Sequence, residues 1–254
     1  RGWVYHHFGS YSDSTTYKLE PLYMSDLQYE VQDAQGITVD YLLGWNMVGF
    51  PFLNVDNNYQ NVFPDATAGT LYEFSGTYSN VSVLEPGNGY WLNFSVSGSE
   101  ELNGDPINNM TINLNAGWNL ISGITTSIYI EQIVDPNSII VPGTIYGFDG
   151  TYQNSNTLEP GKGYWINAYD SGEISIQNRV NIQSRAEQKN YTEGANSLSF
   201  EDQSIFFGLD IPEEEMIRYE LPPLPPDGAQ DFRFSVGSKL LSDGGDISIM
   251  QSKE

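Results

Sequence analysis

The chain has 254 residues, with 33 acidic and 10 basic side chains, a formal net charge of −23 and no cysteine. So acidic a chain lacks the Lys and Arg clusters that bind nucleic-acid phosphates or an anionic membrane surface, and without cysteine it forms no disulfide, zinc–thiolate or iron–sulfur site. An apolar content of 39%, with 17 Tyr, 12 Phe and 5 Trp, suffices for a buried core, while no apolar run approaches the ~18 residues of a membrane-spanning helix.

The first 40 residues contain alternating apolar and polar positions that predict strands. The chain begins at Arg1 rather than Met, so we expect it to be an excised piece of a longer protein. Residues 1–40 are interpreted as the end of a preceding domain, as strands that pack on the first repeat unit, or as strands that exchange with another chain. His6 and His7 are the only histidines, and as neighbours in a strand they point to opposite faces and cannot share one metal or one catalytic triad.

The strongest signal in the chain is an internal repeat. Three pairs of segments match at separations of 73 or 74 residues: GWNMVG at 44–49 with GWNLIS at 117–122, LYEFSGTYSN at 71–80 with IYGFDGTYQN at 145–154, and LEPGNGYWLN at 84–93 with LEPGKGYWIN at 158–167. One unit has therefore been duplicated in tandem, and we place the two copies at residues 41–99 and 100–176.

Each repeat has the pattern of β structure. Apolar and polar residues alternate around the Gly-Trp-Asn corners, and Ser-Gly and Asp-Gly pairs mark hairpin turns. The segments 59–63 and 127–134 are the only ones that favour a helical turn. The sequence therefore predicts an all-β fold of two tandem small domains, each a sandwich or barrel-like, with one helical turn per repeat.

The composition changes after the second repeat. Residues 177–197 are polar, carry Arg179, Arg185 and Lys189, and are predicted to be a linker or exposed loop. A third β module is predicted at 198–254, and it contains the run LPPLPP at 221–226. Proline forces that run into an extended polyproline conformation and excludes it from a central strand.

The GWN corner, the Y-x-F-x-G-T-Y hairpin and the LEPG(K/N)GYW(I/L)N motif resemble repeated modules in large secreted proteins of the Bacteroidetes and related phyla. The segment FFGLDIPEEE…YELPPLPPDGAQDFRFS is similar to the region that follows such modules, ahead of a type IX secretion signal. The resemblance covers residues 41–240 and implies export to the cell surface or the medium. It implies an address and an architecture, not one activity.

The repeat tests for shared chemistry, because a site used by both copies should appear in both. Only one carboxylate recurs, Glu85 and Glu159, whereas glycoside hydrolysis needs two with separated pKa values. We interpret each Glu as accepting backbone N–H bonds in a turn formed by the following Pro and Gly; these turn residues are Glu85, Pro86, Gly87, Glu159, Pro160 and Gly161. No phosphate loop and no G-x-S-x-G elbow occurs, so we expect no enzyme activity and no cofactor.

Calcium is the one metal that the residues suggest. Oxygen-bearing side chains alternate near residue 55, and another follows where a calcium loop ends; these candidate ligands are Asn54, Asp56, Asn58 and Asp65. The second repeat lacks this cluster, which favours a solvated loop instead.

Carbohydrate is the other candidate ligand. The pairs Tyr90–Trp91 and Tyr164–Trp165 place one ring on each face of a strand, so one ring of each pair is a candidate to stack on a sugar. The competing interpretation is that small β domains use such rings to build a core.

Taken together, these patterns predict a non-catalytic structural or interaction segment of a larger cell-surface protein or extracellular filament. Its expected partners are other protein chains, including copies of itself that pair through strand edges. The alternative is a carbohydrate-binding accessory module of a secreted hydrolase or adhesin.

Overall fold

The structure is a computed structural model, and it describes residues 35–53, 55–178, 192–200, 203–242, 244 and 248–251. The strands predicted between residues 3 and 31 lie outside the described residues, as do both histidines. The described part is mostly β structure with only short helical turns, which confirms the predicted all-β class. Within it, no helix is long and apolar enough to cross a membrane.

The first repeat unit is built from seven strands and one helical turn. In chain order these elements are β1 (Gln35–Tyr41), β2 (Gly44–Gly49), β3 (Phe52–Leu53), α1 (Tyr59–Val62), β4 (Tyr72–Phe74), β5 (Tyr78–Asn80), β6 (Gly89–Phe94) and β7 (Gly98–Pro106). Four of them form a sheet in the order β2-β6-β4-β5, and β7 pairs with β1 on one side and β3 on the other.

The second unit repeats this arrangement. Its elements are β8 (Asn109–Leu114), β9 (Gly117–Ser122), β10 (Ile128–Tyr129), a 3-10 turn (Ile130–Gln132), β11 (Tyr146–Phe148), β12 (Tyr152–Asn154), β13 (Thr157–Leu158), β14 (Gly163–Ala168) and β15 (Gly172–Gln177). The sheet order β9-β14-β11-β12 matches that of the first unit, and β8 pairs with β15 as β1 pairs with β7. The helical turn predicted in each repeat is confirmed.

The pairing of β1 moves the unit boundaries. All seven residues of β1 pair with β7, so the strand predicted to lie before the first repeat is its opening strand, equivalent to β8. The predicted boundary between residues 99 and 100 falls inside β7, and the units divide instead between β7 and β8. The three repeated motifs lie in the interior of each unit, whereas the opening and closing strands share few identical residues. The motifs alone therefore placed both edges of the first unit too far inward.

Each unit has its own core, formed by alternate residues of its strands. In β6, Tyr90, Leu92 and Phe94 point into the core of the first unit, while Trp91 between them points the other way. In β14, Tyr164 and Ile166 enter the core of the second unit in the same manner. The period-2 alternation of a strand therefore sends the tryptophan of each Tyr-Trp pair to the opposite face of the sheet.

The third module contains β16 (Asn196–Phe200), β17 (Gln203–Leu209), α2 (Glu213–Met216), a 3-10 turn (Ile217–Tyr219), β18 (Phe232–Phe234), β19 (Leu240–Ser242) and β20 (Ile249–Gln251). Strand β17 pairs with β16 antiparallel and with β19 parallel, and β18 pairs with β20. The run 221–227 belongs to none of these strands. We call this run, LPPLPPD, the strap.

Candidate functional site: an aromatic interface and its strap

The Gly-Trp-Asn corners position the strands that form the site. The side chain of Asn46 accepts a hydrogen bond from the N–H of Leu42 at 2.9 Å and donates to the carbonyls of Leu42 and Gly44. Asn119 makes the same three bonds to residues 115 and 117. The repeated asparagine is therefore used to close the turn that leads into β2 or β9.

The four rings proposed to stack on sugars are buried. Tyr90 and Tyr164 are 1% and 5% exposed, and Trp91 and Trp165 are 0% exposed. The prediction that one ring of each pair lies open to a ligand is therefore wrong. The reason is that both faces of the sheet are covered, one by the core of the unit and the other by the neighbouring unit.

Each buried tyrosine has a structural partner. The hydroxyl of Tyr90 accepts the N–H of Glu85 at 2.8 Å, and the hydroxyl of Tyr164 accepts the N–H of Glu159 at the same distance. Burial raises the pKa of Tyr164 to about 12 and also raises that of Tyr90. Both phenols therefore stay neutral and hold the turn that follows.

The Pro-Gly turns differ in one respect from the prediction. The carbonyl of Glu85 accepts the N–H of Asn88, and that of Glu159 accepts the N–H of Lys162, so the main chain of each Glu closes the turn and not its carboxylate. Gly87 and Gly161 have φ of +88° and +80°, which glycine tolerates in a turn of this kind. Pro86 and Pro160 precede them as predicted.

These turns also join the two units. The N–H of Gly49 donates to the carbonyl of Gly161, and the N–H of Ser122 donates to the carbonyl of Gly87, both at 3.0 Å. The two bonds are equivalent under the repeat, because Gly49 corresponds to Ser122 and Gly87 to Gly161. The units therefore contact each other through one surface used twice, which is the arrangement of a two-fold dimer within a single chain.

Two further glycines allow this close approach. A Cβ atom at Gly89 would lie 2.4 Å from the carbonyl oxygen of Ile121, and one at Gly163 would lie 2.8 Å from that of Val48. Both contacts are between units and both involve backbone atoms. Glycine at these two positions is required by packing.

Between the units lies a cluster that we call the aromatic interface. The rings of Trp91 and Phe148 meet edge to face at 4.7 Å between centroids, and those of Phe74 and Trp165 meet at 4.8 Å. Each pair joins one residue of each unit, and the repeat converts one pair into the other. The remaining buried members of the cluster are Met47, Leu120, Tyr146, Tyr152 and, from the strap, Leu221.

The strap lies across this interface and is bound through its carbonyl groups. Tyr152 donates its hydroxyl to the carbonyl of Pro223 at 2.8 Å, and the equivalent Tyr78 donates to that of Leu224 at 2.9 Å. The indole N–H of Trp45 donates to the carbonyl of Asp227 at 2.9 Å. Two of these donors are therefore counterparts in the two units, although the strap itself has no internal symmetry.

From Pro222 onwards the burial pattern of the strap has a period of three. Pro222 and Pro225 are buried, whereas Leu224 and Asp227 are exposed. Three residues per turn is the period of the polyproline II helix, so in this part of the strap one edge is buried and another faces solvent. This agrees with the extended conformation predicted from the prolines.

A buried ion pair fixes the strap to the third module. Arg233 and Asp231 are each 3% exposed, and the guanidinium binds both carboxylate oxygens, one of them at 2.9 Å from Nη2. The same guanidinium donates from Nη1 to the carbonyl of Pro222 at 2.7 Å. Its central carbon also lies 5.9 Å from the ring centroid of Tyr152. Arg233 therefore connects the third module, the strap and the aromatic interface.

The candidate calcium ligands are used in local hydrogen bonds. Asp56 accepts from the N–H of Asn58 at 2.9 Å and from the side chain of Asn61 at 2.7 Å, and these bonds lower its pKa. Asn58 caps α1 by accepting from the N–H of Gln60. Asp65 accepts from the hydroxyl of Tyr41 at 3.0 Å.

Asn54 lies outside the described residues. Among the residues that are described, no three His, Cys, Asp or Glu side chains are grouped to hold a metal ion. The side chains of Asp56 and Asn58 close the loop before α1, and the bond from Tyr41 holds Asp65 against β1.

Sequence reasoning missed the strap as a ligand of the repeat units. It found the prolines and the recurring aromatic residues separately, and the available signal was their combination in one chain. Comparison with known protein families, curated proteins and solved structures finds no match.

Proposed function

We propose that this chain is a non-catalytic structural and interaction segment of a larger secreted or cell-surface protein. The observation that carries the proposal is the reciprocal contact between the units, in which Phe74 meets Trp165 and Trp91 meets Phe148. Two small β domains joined in this way resist independent movement, because separating them exposes both ring pairs to water. Such a body suits a spacer or a subunit of an extracellular assembly.

The use of the repeated residues supports the same function. Asn46 and Asn119 close turns. Tyr90 and Tyr164 hold the Pro-Gly turns. Trp91 and Trp165 fill the contact between the units. Each of these features of the duplicated motif is accounted for by folding and by the joining of the copies. This use of the repeated residues supports a structural role for the duplication.

An extracellular location is supported by the resemblance to secreted repeat modules and by the charge. A net charge of −23 keeps a protein soluble and limits unspecific association. The expected partners are other protein chains of the same surface assembly.

Deletion of the segment from its parent protein tests this function. We expect the parent to lose its place in the surface assembly, as measured by protease accessibility on intact cells. The purified chain should show no turnover on a panel of glycoside, ester and peptide substrates. Catalysis that survives repurification, or normal surface assembly after the deletion, would contradict the proposal.

A further inference from the structure

We infer that the aromatic interface is a polyproline-binding site, and that the strap of a second copy of this chain is a ligand for it. The inference deepens the structural function proposed above by naming the partner and its mode of attachment. Exchange of the strap between copies would link them without any contact that the single chain lacks.

The repeat units recognise the strap through its main-chain carbonyls. Tyr78, Tyr152 and Trp45 donate to main-chain carbonyls of the strap, and two prolines of the strap, Pro222 and Pro225, are buried. Binding of a polyproline segment in an aromatic groove, with side-chain donors to its carbonyls, is a general mode of peptide recognition. The contacts specify an extended proline-rich segment and do not specify which chain supplies it.

The repeat units form the site by themselves. Two ring pairs and two backbone hydrogen bonds, Gly49 to Gly161 and Ser122 to Gly87, join the units. All of these contacts are made by residues between 49 and 165. The strap adds only Leu221 to the buried cluster. The rings and donors therefore remain in place for a strap from any copy.

Of two equivalent tryptophan donors, the strap uses one. Trp118 is the counterpart of Trp45 under the repeat, yet of these two tryptophans only Trp45 donates to the strap in the part of the chain that the structure describes. The site is thus a nearly symmetric surface bound by an asymmetric ligand. The two tyrosine donors are common to both units, whereas the tryptophan donor comes from the first unit alone.

A long covalent connection joins the repeat units to the third module. Strand β15 ends at Gln177 and β16 begins at Asn196, and a connection of about 18 residues spans up to ~60 Å when extended. That length does not oblige the third module to dock on its own repeat units. Docking within one chain benefits from a high effective concentration, so exchange should need the crowding of a surface assembly or of a concentrated solution.

Two complementary variants of the full chain test the exchange. The first, Trp45→Phe/Tyr78→Phe/Tyr152→Phe, removes the three donors that the repeat units offer to the strap but keeps an aromatic ring at each position. The second, Leu221→Asp, places a charge on the strap residue that is buried in the cluster. The first variant has an intact strap and a weakened site, and the second has an intact site and a defective strap. Each is examined alone and in a 1:1 mixture by sedimentation velocity and light scattering.

We expect each variant alone to be monomeric and the mixture to form a 1:1 heterodimer, because only the mixture offers an intact strap to an intact site. With roughly a tenfold effect for each of the three lost hydrogen bonds at the upper end of the usual range, the triple variant should bind a strap up to about 1,000-fold more weakly than the unaltered site. A mixture that stays monomeric at about 100 µM, with both variants folded by circular dichroism, would overturn the inference.

The unaltered chain provides a second test that needs no substitution. Refolded from denaturant at about 1 mM, it should yield a dimer fraction that is absent after refolding at about 1 µM, since exchange competes with closure only at high concentration. Refolding that gives monomer alone at both concentrations counts against exchange. That result would leave the structural function standing, whereas catalytic turnover would remove the function and leave strap binding unaffected.

Discussion

Phe74 and Trp165 meet edge to face with their ring centroids 4.8 Å apart, although one residue belongs to the first repeat unit and the other to the second. The repeat maps this pair onto Phe148 and Trp91, which meet at 4.7 Å. Edge-to-face contact between rings stabilises a pair by about 0.5–1.5 kcal/mol beyond the burial of its area. The two pairs therefore couple the unfolding of one unit to that of the other.

Replacing Phe74 with Ala should destabilise the whole pair of units. We expect a loss of about 3 kcal/mol in the free energy of unfolding, since a large ring is removed from a buried cluster. The loss should appear in one cooperative transition, with coincident curves from tryptophan fluorescence and circular dichroism in denaturant. Phe148→Ala should give a loss of similar size, because it removes the equivalent contact.

Val96→Ala is the matched control for these variants. Val96 is 49% exposed in the same unit, so its truncation should change the stability by less than about 0.5 kcal/mol. Two separate transitions in the unaltered chain, one for each unit, would show that the ring pairs do not couple them.

Alanine at Gly89 or Gly163 should disturb the contact between the units. The new Cβ atoms would lie 2.4 Å and 2.8 Å from carbonyl oxygens of the other unit, so the backbones must separate. We expect a loss of about 1–3 kcal/mol for each variant, larger for Gly89→Ala because its contact is shorter. Thermal unfolding followed by circular dichroism measures the effect.

Gly147→Ala serves as the control for the glycine variants. Gly147 also lies in a short strand of the second unit, but a Cβ there would meet a ring carbon of Tyr164 at 3.5 Å, an ordinary van der Waals distance. Its melting temperature should stay close to that of the unaltered chain. If all three variants behave alike, the close approach of the units is not the cause.

The ion pair of Arg233 and Asp231 predicts a non-additive result. Arg233→Met leaves the buried carboxylate without its partner and the carbonyl of Pro222 without its donor, and we expect a cost of about 3–5 kcal/mol. Asp231→Leu/Arg233→Met removes both charges and should be more stable than the single variant. Denaturant titrations of the two single variants and the double variant complete the cycle. Losses that simply add would mean that the two side chains act independently.

Much of the architecture follows from the sequence. The separation of 73 or 74 residues between motifs identifies the duplication, and Pro-Gly and Asp-Gly pairs locate the turns. Local rules suffice there, because a turn or a hairpin depends on residues that are neighbours in the chain.

The contact between the units does not follow from such rules. Alternation places Tyr90 and Trp91 on opposite faces of β6, but it does not tell which face another domain covers. The expectation that one ring of each Tyr-Trp pair lies open to a ligand is wrong for that reason: Trp91 is covered by Phe148, a residue 57 positions later in the chain. The strap posed the same difficulty, since Tyr78 and Leu224 are 146 residues apart when they meet.

Lys239 predicts a dependence of stability on pH. Its Nζ lies 4.8 Å from the ring centroid of Tyr146 and donates to the side chain of Asn154, and loss of contact with water lowers its pKa from 10.5 to about 8. Between these two values the unfolded chain holds the proton that the folded chain has lost. Stability should therefore rise with pH, by about 1 kcal/mol between pH 7 and pH 9, where one pKa unit corresponds to 1.36 kcal/mol.

Lys239→Met separates this effect from other titrations. The variant keeps an apolar stem of similar length but has no proton to lose. The unfolding free energy of the unaltered chain should therefore rise relative to that of the variant as the pH rises from 7 to 9. Denaturant titrations at pH 7, 8 and 9 measure that difference. The range stops at 9 because burial raises the pKa of Tyr146, which makes stability fall once the tyrosines of the unfolded chain ionise near pH 10. A difference that is constant across the range would show that Lys239 keeps its charge in the folded chain.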